Sequence, residues 1–318
     1  MMTGSNPQGH GRVIKADADA ITEAATALQA GAVVAIPTET VYGLAADASN
    51  AEAVANIYRT KGRPDFNPLI VHVPDHAAAE RLAQFDDRAS MLAFRFWPGP
   101  LTLVLPLQPD APVAKAVTAG LPTIALRCPA HPVMQAVLRQ SGLFLAAPSA
   151  NRSGGISPTR AEHVARSFGE AMPLVLDAGA CAAGLESTIV AVRENGWQLL
   201  RPGPVTAAEI AHLLGEPPLP VTEARIEAPG QLASHYAPSK PVRLNALEAT
   251  PDEWHIGFGG ISGDDNLSTD GDLAEAAARL FDALHKADAS DKGGIAIAPI
   301  PSEDIGVAIN DRLRRAAA

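Results

Sequence analysis

Cysteine is nearly absent from this chain: Cys128 and Cys181 are the two among 318 residues. They form no CxxC pair and no Cys/His cluster, which excludes a disulfide framework and a zinc pattern and suits a reducing compartment. Long apolar runs are missing as well, none approaching the ~20 residues that span a bilayer. The first twelve residues, MMTGSNPQGHGR, lack the apolar stretch of a secretory signal. A soluble cytoplasmic protein is the expectation. A basic field is also lacking. The net charge is −10, and it is uneven: residues 1–215 hold 16 basic against 18 acidic side chains, and residues 216–318 hold 9 against 17. Phosphate neutralisation supplies most of the affinity of nucleic-acid binders, so strong direct binding to nucleic acid is not expected.

Several catalytic signatures are absent too. There is no GxxxxGK[ST] phosphate loop and no GxGxxG opening a helix. GFGGISG at 257–263 is rich in glycine but has no lysine and no helix start, and it reads as a strand-to-loop turn. The nine histidines show no HExxH or paired spacing, which argues against histidine metal ligation. No GxSxG elbow marks a serine hydrolase. Cys128 falls in a strand pattern, where a cysteine is packed rather than nucleophilic.

What is present is an ordinary globular composition, 47% hydrophobic and 19% charged, long enough for two domains. Helical and strand patterns alternate, the mark of an α/β fold. ITEAATALQAG (21–31) and AEAVANIYRTKG (51–62) read as helices closed by Gly31 and Gly62. GAVVAI, PLIVHV, LTLVLPL, TIALRC, LFLAA, PLVLDA, STIVAV and WQLLR read as strands. Thr159…Glu162 and Thr206…Glu209 have the spacing of capping boxes. After Gly215 the texture changes. Residues 216–241 carry six prolines in 26 positions and no apolar periodicity, as an extended linker does. A small β-β-α-β-α unit follows. The division expected is 10–215, a linker at 216–237, and 238–318.

Five stretches hold more polar groups than folding requires. They are PTETVYG (37–43), KGRPDFNPLIVHV (61–73), TIALRCP (123–129), APSANRSGGISPT (147–159), and ESTIV (186–190) with LRPGPV (200–205). Taken singly, each has a plain structural reading, such as a threonine-rich turn, a helix end with cations near its dipole, or a flexible Gly/Ser loop. Together they put hydroxyls, backbone N–H groups and cations where strands end, which is where ligands bind in open α/β sheets. Arg63, Arg127, Arg152 and Arg201 exceed what a neutral ligand needs, and a polyanion or a phosphate with a carboxylate accounts for them better.

In this order, PTETVYGL, KGRP…NPLIVHV, WPGPLTLVL, RCP, APSAN.SG..SPT, ESTIV and RPG resemble the YrdC-like threonylcarbamoyl-AMP synthases, over about residues 12–205. PGQLASHYAP and the small unit after it resemble the longer, two-domain form. The resemblance implies an α/β fold with a twisted open mixed sheet and a second, smaller Rossmann-like α/β domain. It implies a nucleotidyltransferase that converts L-threonine, bicarbonate and ATP, with Mg²⁺, to threonylcarbamoyl-AMP and pyrophosphate. The product would pass to a separate complex that modifies adenosine 37 of tRNA. By the same resemblance Thr40, His72, Arg127, Ala147 and Ser187 surround threonine. Arg63, Asn67, Thr123, Ser149, Ser157 and Arg201 surround ATP, Lys61 and Arg63 face its phosphates, and Tyr236 acts as a lid. The chemistry is coherent, because Arg127 can take a carboxylate bidentately and the cations can offset charge building on the phosphates. No enzyme nucleophile is needed. In the opening turn, one of Thr38 and Glu39 is expected only to brace the chain.

Asp65 departs from the family pattern, standing where a small polar residue is usual, and it leaves the metal ligands open. Two rivals use the same fold. An RNA-binding or ribosome-assembly module conflicts with the charge. A carbamoyl-transfer domain of larger maturation enzymes would come with zinc-finger and acylphosphatase-like segments, for which this chain has neither the cysteines nor the length.

Overall fold

The computed structural model describes residues 11–64, 66–220, 227–229 and 235–318. Ten strands build the first sheet: β1 (Val13–Lys15), β2 (Val34–Ile36), β3 (Gly43–Asp47), β4 (Ile70–His72), β5 (Leu101–Pro106), β6 (Thr123–Arg127), β7 (Leu145–Ala146), β8 (Leu174–Asp177), β9 (Thr188–Arg193) and β10 (Gly196–Arg201). The helices among and after them are α1 (Ala18–Gln29), α2 (Ala51–Lys61), α3 (His76–Glu80), α4 (Asp87–Phe96), α5 (Lys115–Thr118), α6 (Pro132–Ser141), α7 (Ala161–Phe168) and α8 (Ala207–Leu214). A second sheet has β11 (Val242–Arg243), β12 (Glu253–Gly257), β13 (Asp265–Asn266) and β14 (Gly294–Ile297), with helices α9 (Leu273–Asp288) and α10 (Gly306–Ala316).

The large sheet is mixed, in the order β1-β8-β2-β3-β7-β4-β6-β5-β9-β10. Both faces are covered, and the two-residue period of a strand shows it. On β3, Leu44 and Ala46 enter one apolar cluster while Ala45 enters the other. The small sheet is wholly parallel, in the order β11-β14-β12-β13. A sheet of parallel strands needs helices on its faces, and α9 and α10 supply them. Among the described residues no helix is long and apolar enough to cross a membrane.

Local chemistry sets the elements that matter for the site. Asn50 caps α2 by accepting from the backbone N–H groups of Glu52 and Ala53, and Gly62 ends that helix with a left-handed φ of 62°. Lys61 and Arg63 are thereby fixed on either side of the stop. Thr206 and Glu209 form a complete capping box at α8. The box expected at Thr159 does not form. α7 begins at Ala161 without a side-chain cap. The Thr159 hydroxyl lies instead 3.5 Å from the His163 ring, and Arg160 reaches Asp282 on α9 at 3.0 Å. Tertiary contacts override the local signal there.

The two sheets share a core. Val41, Ile156 and Leu185 of the first unit are buried in one cluster with Tyr236 and the apolar faces of α9 and α10. Burying each such aliphatic side chain is worth roughly 1.5–3 kcal/mol. Gly184 makes the approach possible. Its φ is 68°, and a Cβ there would lie 2.4 Å from the Cα of Ala278 on α9. Residues 216–220 and 227–229 of the proline-rich segment lie on the first unit, and residues 235–241 reach the second. Leu219 donates its backbone N–H to the Trp197 carbonyl at 2.7 Å, Glu227 pairs with Arg193 at 2.9 Å, and Ala228 is buried with Ile70, Val104, Ala125, Ile189 and Ala191. It is a strap rather than a free spacer.

Candidate active site

The six residues between β2 and β3 are the PTETVY turn. Thr38 organises it. Its hydroxyl donates to the Val41 carbonyl at 2.6 Å, accepts from the Thr40 and Val41 N–H groups, and lies 2.8 Å from the Thr40 hydroxyl. Thr38 is therefore the brace of the turn, and Glu39 has another partner.

That partner is Arg127. Parallel pairing of β4 with β6 sets His72 opposite Arg127 at the strand ends. The Arg127 guanidinium donates Nε to the Gly99 carbonyl at 3.2 Å and Nη1 to the Thr40 hydroxyl at 2.8 Å, and Nη2 lies 2.7 Å from a Glu39 carboxylate oxygen. Burial pushes the Glu39 carboxyl up, but the charge and hydrogen bond of Arg127 outweigh it and hold the group below its ordinary value. Burial, and then the Arg127 charge, push His72 down to about 3, so it is a neutral imidazole at pH 7.

Arg63 and Arg201, both buried, line the same cavity as this cluster. Arg63 donates to the carbonyls of Asn67 (3.3 Å) and Pro68 (3.0 Å). Arg201 donates to the Ser187 carbonyl at 3.1 and 2.9 Å and to the Ser187 hydroxyl at 3.2 Å. Neither pairs with a carboxylate through these bonds, so their charge is held by neutral dipoles and stays available. Burial lowers the pKa of both, that of Arg63 to about 10. The RPG turn brings Arg201 in: a Cβ on Gly203 would lie 2.4 Å from the Thr188 nitrogen, so the turn needs glycine to pack against ESTIV.

One cavity joins these groups. Thr40, Arg63, His72, Arg127, Ala147, Ser149, Ser187, Arg201 and Tyr236, all expected from the sequence, line it. Ser157 is buried behind the wall, giving its hydroxyl to Glu186. Lys61 does not line the cavity. It is buried with its ammonium on the carbonyls of Ser149 (2.5 Å) and Asn151 (2.6 Å), so it ties down the serine-rich loop from beneath. Burial and then Arg63 draw its pKa well down. Asn67 is buried with an unpartnered Oδ1. Thr123 lies two residues before Ala125, which pairs with Ile70. Both Asn67 and Thr123 therefore belong to the end of the sheet away from His72 and Arg127, and neither lines the cavity. Arg152 is exposed, with its Nε on the Ser167 carbonyl. Asp65 lies outside the described residues.

Sequence reasoning did not assign eight wall residues: Thr38, Val41, Gly43, Ile70, Pro148, Glu186, Pro229 and His235. Glu186 opens the ESTIV motif and was legible there as a buried acid beside a serine. His235 precedes Tyr236, and burial pushes it down to about 3. Tyr236 has a φ of 66° and is fully buried, a left-handed conformation unusual for an aromatic residue and held by its surroundings. Ala237 donates to the Gly154 carbonyl at 2.8 Å and His235 to the Arg315 carbonyl at 3.2 Å, so this short segment closes the cavity between the serine loop and α10.

Residues 26–203 match the family described as "Telomere recombination", and residues 205–318 match the threonylcarbamoyl-AMP synthase C-terminal domain. Threonylcarbamoyl-AMP synthase of Bacillus subtilis is 40% identical, covering 93% of this chain and 92% of its own length. The chain belongs to the threonylcarbamoyl-AMP synthase family. Two solved structures of Pyrococcus abyssi Sua5 share its fold along nearly the whole length. One, complexed with L-threonine, has a TM-score of 0.85 at 36% identity over 93% of this chain and 94% of that one. The other, in which a histidine and the following tyrosine are both changed to alanine, has a TM-score of 0.87 at 34% identity over 96% of each.

Proposed function

We propose that the protein makes threonylcarbamoyl-AMP and pyrophosphate from L-threonine, bicarbonate and ATP in the cytoplasm, and that the product feeds tRNA threonylcarbamoylation at adenosine 37. The observation that carries this is the pairing of two kinds of arginine in one cavity. Arg127, anchored by Thr40 and Gly99, is placed for a carboxylate. Arg63 and Arg201, anchored by carbonyls, are placed for a polyphosphate. The threonine bound by the Pyrococcus relative and the family membership support the assignment.

Threonine sits with its carboxylate on Arg127, sharing that cation with Glu39, and with Thr40, His72, Ala147 and Ser187 around its amine and side chain. ATP spans Arg63, Ser149, Ser157 and Arg201, with Asn67 and Thr123 toward its far end and Lys61 holding the loop beneath. The threonine amine takes the carbon of bicarbonate with loss of water to give a carbamate, whose oxygen attacks the α-phosphorus as the bond to the leaving pyrophosphate breaks. The chain supplies orientation and positive charge for this in-line displacement. Tyr236 covers the site. The cavity has about 40 Å³ free, enough for a few waters, so ATP enters only when the 235–237 segment swings aside.

Magnesium would be held by the ATP phosphates rather than by a carboxylate cage of this chain. Among the described residues no cluster of three acidic, histidine or cysteine side chains could cage an ion, and Glu39 and Glu186 are both taken by arginines. Magnesium commonly relies on substrate phosphates with few protein ligands, and when bound it would neutralise phosphate charge. The buried arginines also weigh against an RNA-binding role, since they face a cavity rather than a surface. The test is to incubate the protein with MgATP, bicarbonate and L-threonine or L-serine. Threonine-dependent pyrophosphate with an adenylate of threonylcarbamoyl-AMP mass is expected. A folded, ATP-binding protein that makes neither would refute the assignment.

A further inference from the structure

α10 carries an arginine on its apolar face. Ala308, Ile309, Leu313 and Ala316 are buried at helical spacing, and Arg312 stands among them with no exposed side-chain surface. A buried guanidinium is costly unless fully partnered, and of the two carboxylates that partner this one, Asp311 is its neighbour on α10 and Glu186 lies in the other unit. Its Nε donates to Glu186 Oε2 at 2.9 Å, its Nη2 lies 3.5 Å from the Glu186 carbonyl, and its Nη1 donates to Asp311 at 2.9 Å. Its carbon centre is 5.3 Å from the Tyr236 ring centroid. The second Glu186 oxygen takes the Ser157 hydroxyl.

Glu186 lines the cavity, and a carboxylate there is a hazard to a site that binds phosphates. If it were unpaired, its nearest competing cation would be Arg201. Burial pushes the Glu186 carboxyl up, but Arg312 and then Arg201 outweigh it and keep it ionised. With Arg312 in place, Arg201 bonds to the Ser187 carbonyl and hydroxyl instead. We infer that Arg312 is a positioning residue for the nucleotide side of the pocket, supplied by the second domain. It binds Glu186 so that Arg201 stays free for phosphate, and it holds Tyr236 on the cavity wall and, through Glu186, Ser157 behind it. This rests on the proposed reading of Arg201 and Ser157 as ATP contacts. It assigns the acidic C-terminal domain a cation behind the active-site wall, distinct from any docking role.

The experiment measures calorimetric affinity for magnesium α,β-methylene-ATP without threonine, on the full chain and on Arg312→Met, Arg312→Lys and the double variant Arg312→Met/Glu186→Gln. Melting temperatures and the KM for L-threonine are read in parallel. Arg312→Met should weaken nucleotide binding at least tenfold with the threonine KM within about threefold, Arg312→Lys should fall between, and the double variant should recover most of the affinity because the stray carboxylate is gone. Should Arg312→Met not fold, the lysine and double variants carry the test by the same criteria. Unchanged nucleotide affinity in Arg312→Met, or a loss that the double variant does not recover, would overturn the inference and leave Arg312 as interdomain packing. A wild-type chain that binds no nucleotide would instead refute the reading of the site, and this inference with it.

Discussion

The two halves of the pocket are built differently. The Arg127 half comes from one domain and from short-range geometry: a six-residue turn braced by Thr38, and two parallel strands whose register sets His72 beside Arg127. The Arg201 half is finished by distant chain. Glu186 is satisfied by Arg312, 126 residues away, and the wall is closed by Pro229, His235 and Tyr236 of the strap. The first half is rigid because its parts are neighbours in a sheet. The second is closed by a short segment of the strap, whose Tyr236 is buried in the core that the two units share.

The comparison can be broken at the Arg127 half with the largest effect. Arg127→Ala removes charge-assisted bonds worth about 1.5–3 kcal/mol each and leaves Glu39 buried without its cation. Threonine-dependent turnover should fall roughly 100-fold or more by that estimate, read as kcat/KM for threonine, with a lower melting temperature. Next is the interface. Gly184→Ala places a methyl against the α9 backbone at a left-handed φ, and several kcal/mol of stability should go. Denaturant unfolding should show the transition shifted or split, with nucleotide affinity lost before threonine affinity.

A smaller effect sharpens the turn's role. Thr38→Val keeps the shape but strips the hydroxyl from four backbone and side-chain partners. That should cost about 1–3 kcal/mol in urea unfolding and raise the threonine KM more than the ATP KM. An effect of similar size per group is that of pH. His72, His235 and His285 sit near 3 in the folded chain and near 6.5 when unfolded. The unfolded state therefore binds more protons between those values, so stability is full above about pH 6.5 and falls as the pH drops toward 3. Each histidine contributes about 1 kcal/mol per pH unit in that window, and melting curves from pH 7.5 to 4.5 would measure it. A midpoint independent of pH would contradict the burial of these rings as neutral groups.

The same division decides what could be read in the sequence. The strands, the helix stop at Gly62 and the polar stretches at strand ends were legible, because local periodicity and turn chemistry write them. PTETVYG and TIALRCP declared the Arg127 half for that reason. Lys61 was expected, by resemblance, to face the phosphates, and not to be the tie beneath residues 149–151, which depends on how a loop folds back over a helix end. The two-residue β13 and the three-residue β1 carry too little pattern to notice. Arg312 did leave a signal, an arginine on the apolar face of VAINDRLRRAAA, but its partner in ESTIV could be found only from the packing of the two domains. The lost capping box at Thr159 has the same cause, since α9 draws Arg160 away.

The most direct test of the two-halves account is calorimetric titration of Arg127→Ala and Arg201→Ala with L-threonine alone and with magnesium α,β-methylene-ATP alone. The account predicts a crossed result: Arg127→Ala loses threonine and keeps the nucleotide, and Arg201→Ala loses the nucleotide and keeps threonine. If each variant lost both ligands equally, or the losses were exchanged, the division of the pocket argued above would be wrong.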